Sequence, residues 1–155
     1  DLSPQVLYAF GFDAALEWLA ENMQERYDVV CHIEGAKQPS PLNGDSALVA
    51  FQAVRELLIN VVKHAGVKEA HVYETQRENV IVIHVEDQGK GFVPEEVDLP
   101  RSHGGGFGLF SIRERLSLLG GSLAINSSPG KGTSAQVVVP VSVTGSARAL
   151  YELNS

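Results

Sequence analysis

The sequence predicts an α+β protein: a two-layer sandwich whose sheet is mixed and mostly antiparallel, with helices on one face. Three observations carry this. Two pairs of β-rich runs, 68–75 with 79–86 and 122–127 with 133–139, are each joined by a short polar or Gly-Pro break and read as hairpins. Longer stretches carry apolar residues at helical spacing. The order is α-β-α-β-β-loop-α-β-β, and a sheet built from hairpins buries one face under helices.

Taken in order, Ser3 caps and Pro4 opens a first helical turn that Gly11 interrupts. Phe12, Ala15, Leu16, Leu19 and Met23 then mark one face of a helix running to Tyr27. Val29 to Glu34 reads as a strand, and residues 35–44 as a loop with two prolines and two glycines. Asp45 or Ser46 caps a long helix to about Ala65, stopped by Gly66. The first hairpin follows. Residues 88–106 are glycine-rich and polar, and 92–106 read as a lid. Phe107 to Leu119 has helical periodicity and ends at Gly120-Gly121. The second hairpin turns across Pro129-Gly130-Lys131-Gly132. Residues 1–140 thus form one domain, and 141–155 a tail without pattern.

A chain of 155 residues can build a core without disulfides or metal staples. Its net charge of −7 argues against a nucleic-acid or anionic-membrane surface. A polyphosphate remains a possible ligand, but only through locally placed cations, backbone N–H groups and a divalent metal. Cys31 is the single cysteine, so no disulfide forms within the chain and no thiolate cluster is available. It reads as a buried or half-buried thiol, and its isolation fits a reducing compartment. No apolar run approaches the roughly 18 residues of a membrane span. The start at Asp1 reads as that of a processed product or an excised fragment.

On a helical wheel of 46–65, Phe51, Val54, Leu58, Val61, Val62 and Ala65 share one side. Glu56, Asn60, Lys63 and His64 share the other, within about 100°. A solvated face is the ordinary reading of such a stripe. Asn adds little to an exposed helix, however. Its carbonyl is a hard oxygen suited to Mg²⁺. Glu56, one turn earlier, can hold the metal's water or accept a proton from a nucleophile. Lys63 and His64, one turn later, can meet phosphate or ribose.

Val80 to Val85 runs into Asp87-Gln88-Gly89-Lys90-Gly91. A turn is the plain reading. The functional one uses Asp87 as an adenine sensor. An ionised carboxylate only accepts hydrogen bonds, and adenine offers its N6 amine where guanine presents an acceptor. Gly89 and Gly91 would let the backbone approach the base. Gly104-Gly105-Gly106-Phe107-Gly108-Leu109 is neither a Walker A loop nor a dinucleotide fingerprint. It feeds a helix N-terminus, where unpaired N–H groups favour anions.

Together these segments resemble the ATP-binding domain of the GHKL superfamily, which spans gyrase, Hsp90, MutL and sensor histidine kinases. Arg55 to Ala65 matches the N box, Asp87 to Gly91 the G1 box, Gly104 to Leu109 the G2 box, and Gly130-Lys131-Gly132-Thr133 the late G-x-G-T. The run Glu56-Leu57-Leu58-Ile59-Asn60-Val61-Val62-Lys63-His64-Ala65 and the Leu2-to-Leu19 opening are similar to the nitrate/nitrite-sensor group of histidine kinases. Gln88 departs from the common Asn. The resemblance implies a Bergerat-type fold and ATP and Mg²⁺ as cofactors. It implies Glu56, Asn60 and Lys63 as catalytic residues, with Asn60 on the metal. Asn60, Lys63, His64, Asp87, Gly89, Gly91, Gly104, Gly106, Phe107, Gly108, Leu109 and Thr133 would bind the nucleotide, with Thr133 supporting the Asp87 carboxylate.

The same resemblance implies γ-phosphoryl transfer to a histidine on a dimerisation helix. None of His32, His64, His71, His84 and His103 sits in the expected His-Asp or His-Glu pair on a helix. The acceptor is therefore expected upstream, in a helical domain of a larger parent that a membrane anchor could hold, with this domain cytoplasmic. A response regulator would receive the phosphoryl group, with no nucleic acid or direct membrane contact involved. Three alternatives share the pocket: a GHKL ATPase switch, an anti-sigma-type serine kinase, and a nucleotide-binding module without catalysis.

Overall fold

The structure is a computed structural model that describes residues 5–35, 38–91 and 108–141. The short turn before Gly11 is helix α1 (Gln5–Phe10), and Gly11, at φ 93°, redirects the chain as only glycine does cheaply. Helix α2 (Phe12–Tyr27) buries Phe12, Ala15, Leu16, Leu19 and Met23, the five residues its spacing singles out. Strand β1 is Val30–Glu34. Helix α3 (Gly44–Asn60) has Asn43 as its N-cap, two or three residues before the expected caps, and Asn43 makes no side-chain cap bond. Strands β2 (Glu69–Arg77) and β3 (Val80–Asp87) meet at Glu78-Asn79. Helix α4 (Leu109–Leu118) and strands β4 (Ser122–Ser127) and β5 (Thr133–Pro140) complete the described chain.

One segment departs from expectation. The predicted helix does not run to Ala65 as an α-helix. It widens at Val61–Ala65 into a π turn, ended by Gly66 at φ 73°. The Ala65 carbonyl at its end accepts the Lys90 N–H at 2.8 Å, so it serves a loop from β3 rather than the helix. A wheel of constant 100° steps cannot register that change of winding.

The sheet order is β1-β2-β3-β5-β4. β1 lies parallel to β2, and the other pairs are antiparallel, which gives the mixed sheet. Alternation sends Ala70, Val72, Ile81, Ile83, Val85, Ala135, Val137 and Val139 into one core with the apolar stripes of α2, α3 and α4. Each large side chain buried this way contributes about 1.5–3 kcal/mol. The opposite sheet face carries His32, Glu69, His71, Tyr73, His84 and Glu86. No described helix is long and apolar enough to cross a membrane.

Candidate functional site

Along β3 the inward positions are Ile81, Ile83, Val85 and then Asp87. The strand's period carries a carboxylate onto the core side, where it is 5 % exposed. Its Oδ1 accepts the Gly89 N–H at 2.8 Å. Burial pushes the Asp87 pKa up, and the Gly89 N–H holds it partly down. From α3, Asn60 arrives on the same side and is 5 % exposed, with Glu56 one turn earlier at 7 %. These two are not a solvated stripe. Asn60 Nδ2 is buried with no hydrogen-bond partner, a costly state unless a ligand meets it.

Asn60 and Asp87 line one narrow cleft, walled by Leu57, Val61, Ala65, Val85, Thr133 and Ala135. Apolar walls with a few polar groups are the ordinary lining of a small-molecule site. Thr133 stands directly across the ladder from Asp87. Its hydroxyl shares a 2.9 Å bond with Ser127 Oγ, which gives its own proton to the Gly132 carbonyl at 2.9 Å. Thr133 is then the donor to Ser127, and its lone pairs remain as acceptors. Ser127 is a residue the motifs do not name. Counting back across the hairpin from Thr133 would have found it, because the two are register partners.

The glycines serve a purpose besides approach to a base. A Cβ on Gly89 would lie 2.6 Å from Ala65 Cβ. One on Gly91 would lie 2.9 Å from the Ser128 carbonyl carbon, and one on Gly132 would lie 2.5 Å from the Asp87 carbonyl oxygen. The loop after β3 is thus wedged between the π turn and the β4–β5 turn, backbone against backbone. Lys90 N–H binds Ala65, and Gly130 N–H binds Lys90.

The remaining candidates divide. Lys63 is exposed and His64 half-buried on the π turn. Gly108 is buried in extended conformation ahead of α4. The Leu109 side chain is 1 % exposed in the core, so only its backbone is available to a phosphate. Gly104, Gly106, Phe107 and the expected lid 92–106 lie outside the described residues. Cys31 is half-buried, and burial pushes its thiol to about 11, which fits an inert side chain.

Residues 45–143 match the family described as "Histidine kinase-, DNA gyrase B-, and HSP90-like ATPase". The chain belongs to this family. Over 139 residues it is 34% identical to the sensor histidine kinase ComP of Bacillus subtilis, covering 90% of this chain and 18% of that protein. Over 141 residues it is 30% identical to the oxygen sensor histidine kinase NreB of Staphylococcus carnosus, covering 91% of this chain and 40% of that protein. The chain therefore spans well under half the length of either relative. Its fold is similar to the histidine kinase domain of the Erythrobacter litoralis EL346 blue-light activated histidine kinase, with TM-score 0.65 and 22% identity over 84% of this chain and 61% of that one. It is similar also to the Acinetobacter baumannii histidine kinase AdeS, with TM-score 0.68 and 17% identity over 84% of this chain and 64% of that one. Membership of this ATPase family supports nucleotide binding by the chain.

Proposed function

We propose that this chain is the ATP-binding catalytic part of a sensor histidine kinase, transferring the ATP γ-phosphoryl group to a histidine on an upstream dimerisation helix. The observation that carries the reading is the single cleft joining Asp87 to Asn60. Two polar groups from different elements, one acceptor-only and one an orphaned amide, line it together with apolar walls.

At the β3 end, Asp87 accepts from the adenine N6 amine. A water between Asp87 and Thr133 would find two acceptors there and donate to both. At the α3 end, Lys63, His64 and the N–H groups opening α4 neutralise and orient phosphate. Asn60 fits a Mg²⁺ ligand. Its amide is buried without a partner, and a half-turn exchanges its nitrogen for its oxygen. Glu56 adds a second hard oxygen nearby. Mg²⁺ bound there supplies charge neutralisation for the polyphosphate. Glu56 accepts the proton of the incoming imidazole as its nitrogen bonds to phosphorus and ADP leaves.

Tyr8 and Phe10 of α1 are 68 % and 77 % exposed, apolar surface at the end of the chain where an acceptor helix would join. A response regulator receives the phosphoryl group afterwards, and ATP use places this work on the cytoplasmic side. The test is to titrate the chain with ATP and Mg²⁺, then supply the upstream helical segment and look for acid-labile phosphohistidine. Label on serine, or no label despite ATP binding, would overturn the kinase reading. Asn60→Ala is expected to fold, yet to lose Mg²⁺-dependent binding.

A further inference from the structure

On the open face of the sheet, away from the cleft, parallel pairing sets His32 of β1 opposite His71 of β2. Glu69 lies two residues before His71 and so on the same face. His32 Nε2 is 3.4 Å and His71 Nε2 3.5 Å from one oxygen, Glu69 Oε1. The imidazoles stack with centroids 4.7 Å apart and planes 19° apart. The three ligand atoms all lie within 4.8 Å of one another. We infer that His32, Glu69 and His71 form a transition-metal site, with Zn²⁺ the ion that suits them.

Around a tetrahedral ion bound at about 2.0–2.1 Å, ligand atoms stand roughly 3.3 Å apart. Two edges of the triangle already have that length. The third closes by small rotations of side chains that are 47%, 50% and 62% exposed. Two neutral imidazoles and one carboxylate favour Zn²⁺, Cu²⁺ or Ni²⁺ over Mg²⁺ or Ca²⁺. An ordinary His–Glu pair would occupy one imidazole, whereas here both rings converge on the same oxygen. The neighbouring cation does not compete, since Lys68 Nζ binds Asp28 at 3.1 Å. The fourth position opens to solvent. In the ladder His71 faces Glu86, while Asp87 points to the opposite side, so the ion and the nucleotide would occupy different faces of the sheet. The ion would also link β1, an edge strand with one neighbour, to β2.

The experiment is a zinc chloride titration of the nucleotide-free chain by calorimetry, with imidazole ¹H–¹⁵N spectra. One ion per chain is expected, shifting the His32 and His71 resonances and leaving His84 unmoved. His32→Ala and His71→Ala should each weaken binding by about tenfold or more. Both sites are exposed, so the metal-free variants should melt as the parent does. If a variant fails to fold, the spectra of the unsubstituted chain still decide. No binding up to about 0.1 mM zinc, shifts confined to other histidines, or affinity unchanged in both variants would overturn the site.

Discussion

In the proposed site Asp87 carries two conflicting demands. Reading adenine needs an ionised acceptor, but burial disfavours the charge and raises its pKa. A raised carboxylate pKa means that the folded state binds the proton more tightly than the unfolded chain. Between the unfolded and folded values stability therefore falls as pH rises, and above them the buried charge is a standing cost. Asp87→Asn should remove that cost. The variant is expected to melt no lower than the parent at neutral pH, and the difference should vanish in acid, below both values. It should also bind ATP about 10- to 100-fold more weakly, the value of a hydrogen bond to a charged group, and lose preference over GTP. Parallel melting and nucleotide titrations check both halves. Gly89→Ala has no such compensation. Its Cβ would meet Ala65 at 2.6 Å, and the wedge can yield only by moving backbone. A loss of about 1–3 kcal/mol is expected in urea unfolding, together with weaker nucleotide binding.

At the scale of the element, the proposed site puts its binding work at the end of α3. The Ala65 carbonyl, like the last four of any helix, has no partner within the helix. The π turn instead turns it to Lys90, and Gly66 releases the chain in the left-handed region. Space at Gly66 is open, its nearest neighbour being Lys90 Cδ at 3.8 Å. Gly66→Ala should therefore cost only the backbone strain, about 1–2 kcal/mol, and Gly66→Asn less. Denaturant melts compare the two, and equal losses would locate the cost elsewhere. The second hairpin plays the matching part. Ser127, bound to both Gly132 and Thr133, fixes the turn whose Gly130 N–H donates to the Lys90 carbonyl of the loop after β3. Ser127→Ala should cost about 0.5–1.5 kcal/mol, the net worth of a hydrogen bond.

For the whole molecule, the sheet divides labour between its faces. The covered face holds the core and ends in Asp87 under the C-terminal part of α3. The open face holds titratable side chains: Tyr73 donates to Glu86 at 2.9 Å and stacks on His84. The proposed nucleotide site draws on α3, β3 and β5 at once, so ligand binding there should stabilise the domain as a unit. At 100 times the dissociation constant, ATP with Mg²⁺ is expected to add about 2.7 kcal/mol. Thermal unfolding at increasing nucleotide measures it, and the increment should vanish in Asn60→Ala. An increment retained in that variant would remove Asn60 from the binding set.

The sequence by itself determined the family and nearly all of the elements, and it named the candidate site residues. Those signals are local: apolar spacing on Phe12 to Met23, turn glycines at 66 and 130, and four short motifs in order. It left Glu56 and Asn60 balanced between a solvent stripe and a buried site, because polarity on a wheel does not say what covers it. Only the tertiary structure decided that both are buried, that Asn60 shares a cleft with Asp87, and that Ala65 rather than a ligand first demands glycine at 89. The parallel pairing of β1 with β2 belongs to the same class. These facts depend on segments 20 to 40 residues apart meeting in space. Periodicity reports on the helix or strand it runs along, and the register between elements is set by packing.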